Sequence, residues 1–135
     1  MRAAVGPDGW VTVPELLERV SRRTVARWVA DGRLVRLRPG VLALPSSAAH
    51  WRTHVAAALE GREAVASHAT ALALWELLPH PPGPVHVTVA PALSGRGPAS
   101  VVVHRRPGAF ADRRRVDGLA VTSVERSVVE TWGRP

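Results

Sequence analysis

The chain contains 135 residues, with 46% hydrophobic and 21% charged side chains, a composition typical of folded globular proteins. It has no cysteine, which excludes disulfides and thiolate metal sites, and no apolar run approaches the roughly 18 residues that would span a membrane. We therefore expect a cytoplasmic protein that does not contact membranes. The net charge of +7 rests on arginine alone. Because Lys, Asn, Gln, Ile and Tyr are also missing, a GC-rich genome explains the choice of arginine, and the position of the charge is more informative.

Two helices are predicted in residues 11–30. The pattern T-x-x-E from Thr12 to Glu15 is a capping box, which predicts that the first helix begins there. Ser21 is expected to cap a second helix over residues 22–30, and Gly32 stands where that helix should end. The buried face of the second helix is predicted by spacing of i, i+3 and i+4, at Val25, Trp28 and Val29.

Positive charge concentrates on the second helix and on the hairpin predicted after it, at residues 34–44. The turn sequence Arg-Pro-Gly at 38–40 separates the two apolar halves of that hairpin. Residues 19–38 contain seven arginines and one acid. This order is typical of a winged helix-turn-helix, whose second helix enters the major groove of DNA. The predicted DNA-binding residues are Ser21, Arg22, Arg23, Thr24, Arg27, Arg33, Arg36 and Arg38.

These residues are expected to have different roles. Arg23 and Arg27 lie opposite the apolar face on a helical wheel, with small alanines beside them, so they are the best candidates for groove entry. Arg36 and Arg38 would project from the hairpin and meet phosphates, which fix register without reading sequence. Ser21 either adds a phosphate contact or only caps its helix. The alternative for the whole set is a solvated basic face in an arginine-rich protein.

The rest of the chain predicts a small α/β domain, so we expect an α+β protein with a winged helix-turn-helix at residues 1–45 and an α/β domain at 46–135. Helices are predicted at 48–60 and 68–78 and strands at 85–89 and 101–104, with short apolar segments at 64–66 and 119–121. A second T-x-x-E, from Thr122 to Glu125, predicts a last helix with an apolar stripe at Val124, Val128 and Trp132. Most tryptophans lie at core positions, whereas Trp10 and Trp132 are candidates for an exposed partner surface.

Arginines in a predicted loop form a possible second basic patch, at Arg105, Arg106, Arg113, Arg114 and Arg115. Three interpretations remain open for this patch. It could extend the DNA footprint, contact an acidic surface of a partner protein, or be solvated.

The histidines favour structural roles. His50 and His54 have the i, i+4 spacing of metal ligands, but no third ligand is near them in sequence. Ser67 beside His68 predicts a helix cap next to a buried histidine, because adjacent residues rarely form a nucleophile and its base. His86 and His104 are expected to form a cross-strand pair. Since phosphate loops, paired carboxylates and cofactor motifs are also missing, the sequence predicts no catalytic, cofactor or metal site and no enzyme.

Six segments, taken in order, resemble AbiEi-type antitoxins of type IV toxin–antitoxin (abortive infection) systems: GWVTVPELL, SRRTVARWVADGRLVRLRPGVLAL, AVASHATALALWEL, PVHVTVAP, VVVHRR and GLAVTSVERSVVET. The resemblance implies a winged helix-turn-helix that represses its own operon and a second domain that neutralises a nucleotidyltransferase-type toxin. By position, Arg22, Arg23, Thr24 and Arg27 match the recognition helix, and Arg33, Arg36 and Arg38 match the wing. Ser67-His68 and Thr122-Ser123 with Arg126 match recurrent motifs of the second domain.

The chain departs from the family in two places. Relatives have a full helix before the segment that corresponds to Gly9, whereas Gly6-Pro7 here predicts a short or missing first helix. Relatives also often continue into a Vsr-like endonuclease domain, and we expect no nuclease activity of that kind in this chain. The expected partners are operator DNA, a cognate toxin and a second copy of the chain, without cofactors. The alternatives are a toxin-neutralising protein–protein module with little DNA binding and a truncated remnant of a nuclease-fused relative.

Overall fold

The computed structural model describes residues 1–79, 83–91 and 100–133 and has a mixed α+β fold with two sheets. The chain divides into two compact units, Met1–Ala57 (unit 1) and Ala58–Pro135 (unit 2). This boundary lies later than the expected one at residues 45/46. In the described part of the chain, no helix has the length and apolar character needed to cross a membrane.

Unit 1 contains a three-stranded antiparallel sheet with the strand order β1-β3-β2. Its elements, in chain order, are α1 (Arg2–Val5), β1 (Trp10–Thr12), α2 (Val13–Leu17), α3 (Arg22–Ala30), β2 (Val35–Arg38), β3 (Val41–Ala43), α4 (Pro45–Ala48) and α5 (Trp51–Leu59). The last helix begins in unit 1 and ends two residues after the boundary between the units.

Local signals set the ends of α2 and α3 as predicted. The Thr12 hydroxyl accepts a hydrogen bond from the backbone N–H of Glu15, at 3.3 Å, and α2 follows. The Ser21 hydroxyl accepts from the N–H of Thr24, at 3.2 Å, and caps α3. Gly32 has a φ of 75° after α3. Its N–H and that of Arg33 bond back to the carbonyls of Val29 and Trp28, which makes this end a Schellman motif.

An apolar core connects these helices to the sheet. Trp28 is buried, and Val25 and Val29 pack against the same cluster, which confirms the predicted inner face of α3. The rest of the buried cluster comes from six other elements or connections, at Val5, Val11, Leu16, Leu34, Leu42 and Leu44. The four-residue helix α1 contributes Val5 to this core, and the Arg19 guanidinium donates to the carbonyl of Ala3 at 3.1 Å.

Unit 2 contains a five-stranded mixed sheet with the strand order β6-β5-β4-β8-β7. Its elements are β4 (Ala64–Ala66), α6 (His68–Leu74), β5 (Val85–Val89), β6 (Val101–Arg105), β7 (Arg113–Val116), β8 (Leu119–Thr122) and α7 (Val124–Trp132). Strand β5 pairs with β6 in parallel and with β4 in the antiparallel sense. Helix α6 packs on β5 and β8, and α7 packs on α6.

Successive side chains of β5 lie on opposite faces of the sheet. Val87 and Val89 lie in an apolar cluster with Ala58 and Val101. Since successive side chains in a strand point to opposite faces, His86 and Thr88 belong to the other face. The Thr88 hydroxyl accordingly contacts Ser67 at the start of α6, and the backbone N–H of His86 donates to the Thr70 hydroxyl.

Several element predictions were wrong. The helix predicted at 48–60 is confirmed over Trp51–Leu59, but its predicted start was wrong, because Ala48 ends a separate short helix that begins at Pro45. The helix predicted at 68–78 ends at Leu74, because Glu76 adopts a φ of 63°. The N–H groups of Glu76 and Leu77 then bond to the carbonyls of Ala73 and Leu72 and close a Schellman motif.

Three further corrections concern the end of the chain. The predicted arginine loop is partly strand β7, which pairs with β8 at the edge of the sheet. Ser123, not Thr122, caps α7, by accepting from the N–H of Arg126 at 3.2 Å. Val128 is 37% exposed and does not lie in the core, whereas Trp132, 62% exposed, was already expected as a candidate for the surface. The predicted Pro/Gly loops at 79–84 and 91–100 fall largely outside the described residues.

Candidate functional sites

The outer face of unit 1 presents five of the predicted DNA-binding arginines to solvent. Arg22, Arg23 and Arg27 are exposed on α3, and Arg33 and Arg36 are exposed on and just before β2. Ala26 and Ala30 are also exposed on α3, so the helix surface between the cations is shallow. None of the five arginines forms an ion pair with a residue in the part of the chain that the structure describes. Their charge is therefore available to a partner.

Three of the predicted contact residues form hydrogen bonds within the chain. Ser21 and Thr24 bond to each other through their hydroxyls, at 3.0 Å, while Ser21 also caps α3. Arg38 was expected to project from the hairpin, but it is half-buried, and its Nε donates to the backbone carbonyl of Ala57. That hydrogen bond attaches β2 to α5 within unit 1. The prediction of a phosphate contact for Arg38 is therefore corrected.

The five arginines of the predicted second patch are not equivalent. Arg105, Arg113, Arg114 and Arg115 are exposed, and the Arg113 guanidinium lies 5.7 Å from the centre of the Phe110 ring. Arg106 instead faces inward with a 21% exposed side chain, 3.5 Å from Asp112 and 3.6 Å from Glu130. Arg106 is thus part of an internal ion-pair network and does not belong to a surface patch.

In unit 2, the fold brings together three histidines that are distant in sequence. His68 begins α6, His86 lies on β5 and His104 lies on β6. The rings of His68 and His104 stack with centroids 3.8 Å apart, and those of His86 and His104 lie 5.2 Å apart. One ring nitrogen of each residue lies within 4.8 Å of the other two. We call these three residues the histidine cluster.

Hydrogen bonds fix the orientation of the cluster. His86 Nδ1 and His104 Nε2 are 2.9 Å apart and share one proton. His68 Nδ1 lies 2.9 Å from the Ser67 hydroxyl, which in turn accepts from Thr88 at 2.7 Å. Ser67 is fully buried. Its hydroxyl makes no helix-capping bond, so the predicted cap was wrong, and it orients His68 instead.

Charged residues surround the His68 side of the cluster. Glu130 on α7 accepts from the backbone N–H of His68 at 3.4 Å, and its carboxylate lies 3.9 Å from His68 Nδ1. Arg106 joins Glu130 to Asp112, and Asp112 in turn contacts Arg126 at 3.5 Å. Two guanidinium groups thus face two carboxylates beside the histidines, and their charges balance.

The histidines are neutral at pH 7. Burial, followed by the charges of His104, His86 and Arg106, lowers the pKa of His68 from 6.5 to about 4. Burial also lowers the pKa values of His86 and His104, and the charge of His86 lowers the pKa of His104 further. Burial raises the pKa of Glu130, against the opposing effects of the His68 N–H and the two arginines. Neutral imidazole is the form that accepts hydrogen bonds and binds metal ions.

The sequence interpretation missed this cluster. It expected His86 and His104 to be neighbours, which is confirmed, but it treated His68 separately as the neighbour of a cap. The alternation of V-H-V-T-V at 85–89 was the available signal, since it places His86 away from the valine face. His50 and His54 are not part of a three-residue cluster in the described regions, and His54 Nε2 bonds to the carbonyl of Ala48.

Compared with known family models and with curated proteins, the chain gives no significant match.

Proposed function

We propose that unit 1 is a winged helix-turn-helix and that the chain is a DNA-binding transcriptional regulator. The order of its elements, α1-β1-α2-α3-β2-β3, supports this proposal, as does the antiparallel sheet in which β3 lies between β1 and β2. In such a unit, α3 is the recognition helix and the β2–β3 hairpin is the wing. The short helix α1 then supplies the first of the three helices.

The observation that carries the proposal is a set of exposed arginines on α3 and on or just before β2, which form no ion pair with the described residues: Arg22, Arg23, Arg27, Arg33 and Arg36. Buried Trp28 holds the opposite face of α3 against the core, so the charged face has a fixed orientation. A fixed row of guanidinium groups matches the negative charge of a DNA backbone, and its affinity depends steeply on salt.

The division of labour follows from position. Arg23 and Arg27 are one helical turn apart on α3, beside Ala26 and Ala30, which leave room for close approach to base edges. Arg22 at the first turn of α3, together with Arg33 and Arg36 beyond it, suits contacts with phosphates. The helix therefore reads sequence, and the flanking arginines set register.

The resemblance to AbiEi-type antitoxins supports a more specific role, in which the regulator represses the operon that encodes it and a nucleotidyltransferase-type toxin. Operators of helix-turn-helix proteins are commonly palindromic and are bound by two copies. We therefore propose that two copies of this chain bind each operator.

Fluorescence anisotropy on DNA from the chain's own promoter, against scrambled DNA and across a salt series, tests the proposal. We expect salt-dependent binding with at least about 10³-fold preference for the promoter. Arg27→Ala should weaken promoter binding by about 1–3 kcal/mol, roughly 5- to 150-fold, and relax sequence preference. The matched control is Arg2→Ala, which removes the same charge from an exposed site on α1. Equal losses in both variants would refute the assignment of α3 as the recognition helix.

One observation favours a second candidate, a module that binds a toxin protein. Val128, Val129 and Trp132 of α7 are 37%, 37% and 62% exposed and lie at helical spacings that place them on one side. Sequence-blind or absent DNA binding in the anisotropy experiment would favour this function over the first.

A further inference from the structure

The histidine cluster brings together three side chains of a type that binds metal ions. It lies in unit 2, whereas the arginines proposed to bind DNA lie in unit 1. Its members come from the start of α6 and from two parallel strands, and each ring is partly accessible, with 22% of the His68 side chain exposed. A single ring nitrogen from each reaches within 4.8 Å of the others. Three such residues from different elements can supply three ligand atoms to one metal ion.

The spacing suits a small ion after a limited adjustment. Zn–N bonds of about 2.0–2.1 Å in a tetrahedral site place two ligating nitrogens about 3.3 Å apart. His86 Nδ1 and His104 Nε2 are 2.9 Å apart because a proton lies between them. A metal ion that replaces this proton requires the rings to separate by only a few tenths of an ångström. His68, stacked on His104, supplies the third nitrogen after a rotation of its ring.

The surroundings of His68 match the outer partners of metal-bound histidines. A ligating imidazole normally holds its second nitrogen in a hydrogen bond to an oxygen acceptor, which fixes the ring and its tautomer. His68 Nδ1 lies 2.9 Å from the Ser67 hydroxyl and 3.9 Å from the Glu130 carboxylate. Nε2 is then the nitrogen left for an ion, and the carboxylate places negative charge behind the ring.

The backbone of His68 is held in an uncommon conformation. Its φ is 56°, in the left-handed region that few residues other than glycine adopt, although asparagine, aspartate and histidine adopt it more often than the rest. The bonds of Ser67 to Thr88 and of the His68 N–H to Glu130 hold this turn in place. Strain retained at a residue that completes a ligand cluster indicates a role for its side chain.

We propose that His68, His86 and His104 form a binding site for a divalent transition-metal ion of the Zn²⁺ class. Three imidazoles suit this class of ion, and they leave a fourth coordination position for water or another ligand. A stacked set of structural histidines is the competing explanation. The proposal does not depend on DNA binding by unit 1.

The direct test uses the full chain, purified without a histidine tag and stripped of metal with a chelator. Titration calorimetry with Zn²⁺ should show one site per chain, and Zn²⁺ should raise the melting temperature. Co²⁺ should give the visible absorption of four-coordinate cobalt. Failure of the wild-type chain to bind either ion with one-to-one stoichiometry would overturn the proposal.

A matched pair of variants separates metal binding from ring stacking. His104→Phe keeps an aromatic ring beside His68 but removes both nitrogens, and it should weaken Zn²⁺ affinity by at least about 100-fold. His50→Phe changes an exposed histidine outside the cluster and should leave the affinity unchanged. A folded His104→Phe that binds Zn²⁺ like wild type would refute the site.

His68→Asn provides a second variant in case His104→Phe does not fold. Asparagine tolerates a positive φ, so this change removes the imidazole without straining the turn. Circular dichroism and melting without metal establish the fold of each variant. We expect His68→Asn to fold and to lose the cobalt absorption, and retention of that absorption would contradict the proposed ligand set.

Discussion

The two units of the chain place their polar groups in opposite ways. In unit 1, an apolar cluster around Leu16 and Trp28 fills the interior, and the arginines of α3 point outward. In unit 2, a set of polar side chains is turned inward, although Arg105 and the arginines of β7 are exposed. Among the described residues, every buried residue with a hydroxyl side chain belongs to unit 2, namely Ser67, Thr70, Thr88, Thr122, Ser123 and Ser127.

This difference separates two kinds of binding surface. Exposed arginines with no partner in the described chain gain their interaction energy only from an outside polyanion, and salt weakens that interaction. In unit 2, Ser67, Thr88 and Glu130 bond to one another or to His68 and fix its ring before any ligand arrives. We therefore expect substitutions in unit 1 to change binding with little effect on folding, and substitutions in unit 2 to affect stability first.

The largest expected effect on stability is that of Glu130→Ala. This change removes one of the two carboxylates that contact Arg106, whose buried Nε has no hydrogen bond in the described structure and lies 3.6 Å from the Glu130 carboxylate. It also removes the acceptor for the His68 N–H. An ion pair that loses one buried member leaves an uncompensated charge, so we expect the free energy of unfolding to fall by about 2 kcal/mol. Urea denaturation of the metal-free chain measures this change.

The control for that experiment is Glu63→Ala. Glu63 is exposed just before β4, so its removal should change the free energy of unfolding by less than about 0.5 kcal/mol. If both variants lowered the free energy of unfolding equally, the Glu130 ion pairs would stabilise the fold no more than an exposed charge does. The proposed difference between the two units would then be wrong.

A smaller effect tests the contrast inside unit 1, where Arg36 and Arg38 lie on the same strand. Arg38→Ala breaks the hydrogen bond to Ala57 and should lower the free energy of unfolding by about 1–2 kcal/mol, while the salt dependence of DNA binding stays unchanged. Arg36→Ala should leave stability unchanged and reduce the slope of log affinity against log salt by about 1. Fluorescence anisotropy and urea denaturation are measured on both variants. A lower stability of Arg36→Ala together with a smaller salt slope of Arg38→Ala would contradict this assignment.

The part of the fold that the sequence predicted best is governed by local interactions. Ser21 and Gly32 set the two ends of α3 through bonds to residues three to five positions away, so their pattern can be read along the chain. Strand β7 could not be recognised in this way. Arg113–Val116 shows no apolar alternation and forms a strand because it pairs with β8 at the edge of the sheet, where charged residues are common.

The candidate sites were also predictable only where local interactions determine them. Exposure of Arg23 and Arg27 followed from the helical wheel, because the apolar face of α3 fixes the opposite face. The inward positions of Arg38 and Arg106 depend on α5 and on α7, which are distant in sequence, and were not predictable from local charge. The histidine cluster required the parallel pairing of β5 and β6, which places Thr88 opposite His104 and so brings His86 and His104 to one face.

A dependence of stability on pH is also expected to arise in unit 2. The pKa of His68 is about 4 in the folded chain and 6.5 in its ordinary state, so the unfolded chain binds more protons between these values. Stability is therefore highest above pH 6.5 and decreases as the pH falls from there towards 4. His86 and His104 act in the same direction, since their pKa values are also lowered.

Glu130 opposes this trend, because burial raises its pKa and the folded chain then gains protons above pH 4.5. Arg106 is the other charged group that faces His68, and its positive charge contributes to the lowered pKa of His68. Three histidines against one carboxyl group give a net loss of stability on acidification, measurable by urea denaturation of the metal-free chain at several pH values. His68→Asn should flatten this dependence, whereas His50→Asn should keep it. If the two variants gave the same profile of unfolding free energy against pH, the loss of stability in acid would not originate in the histidine cluster. The contrast drawn between the interiors of the two units would then fail.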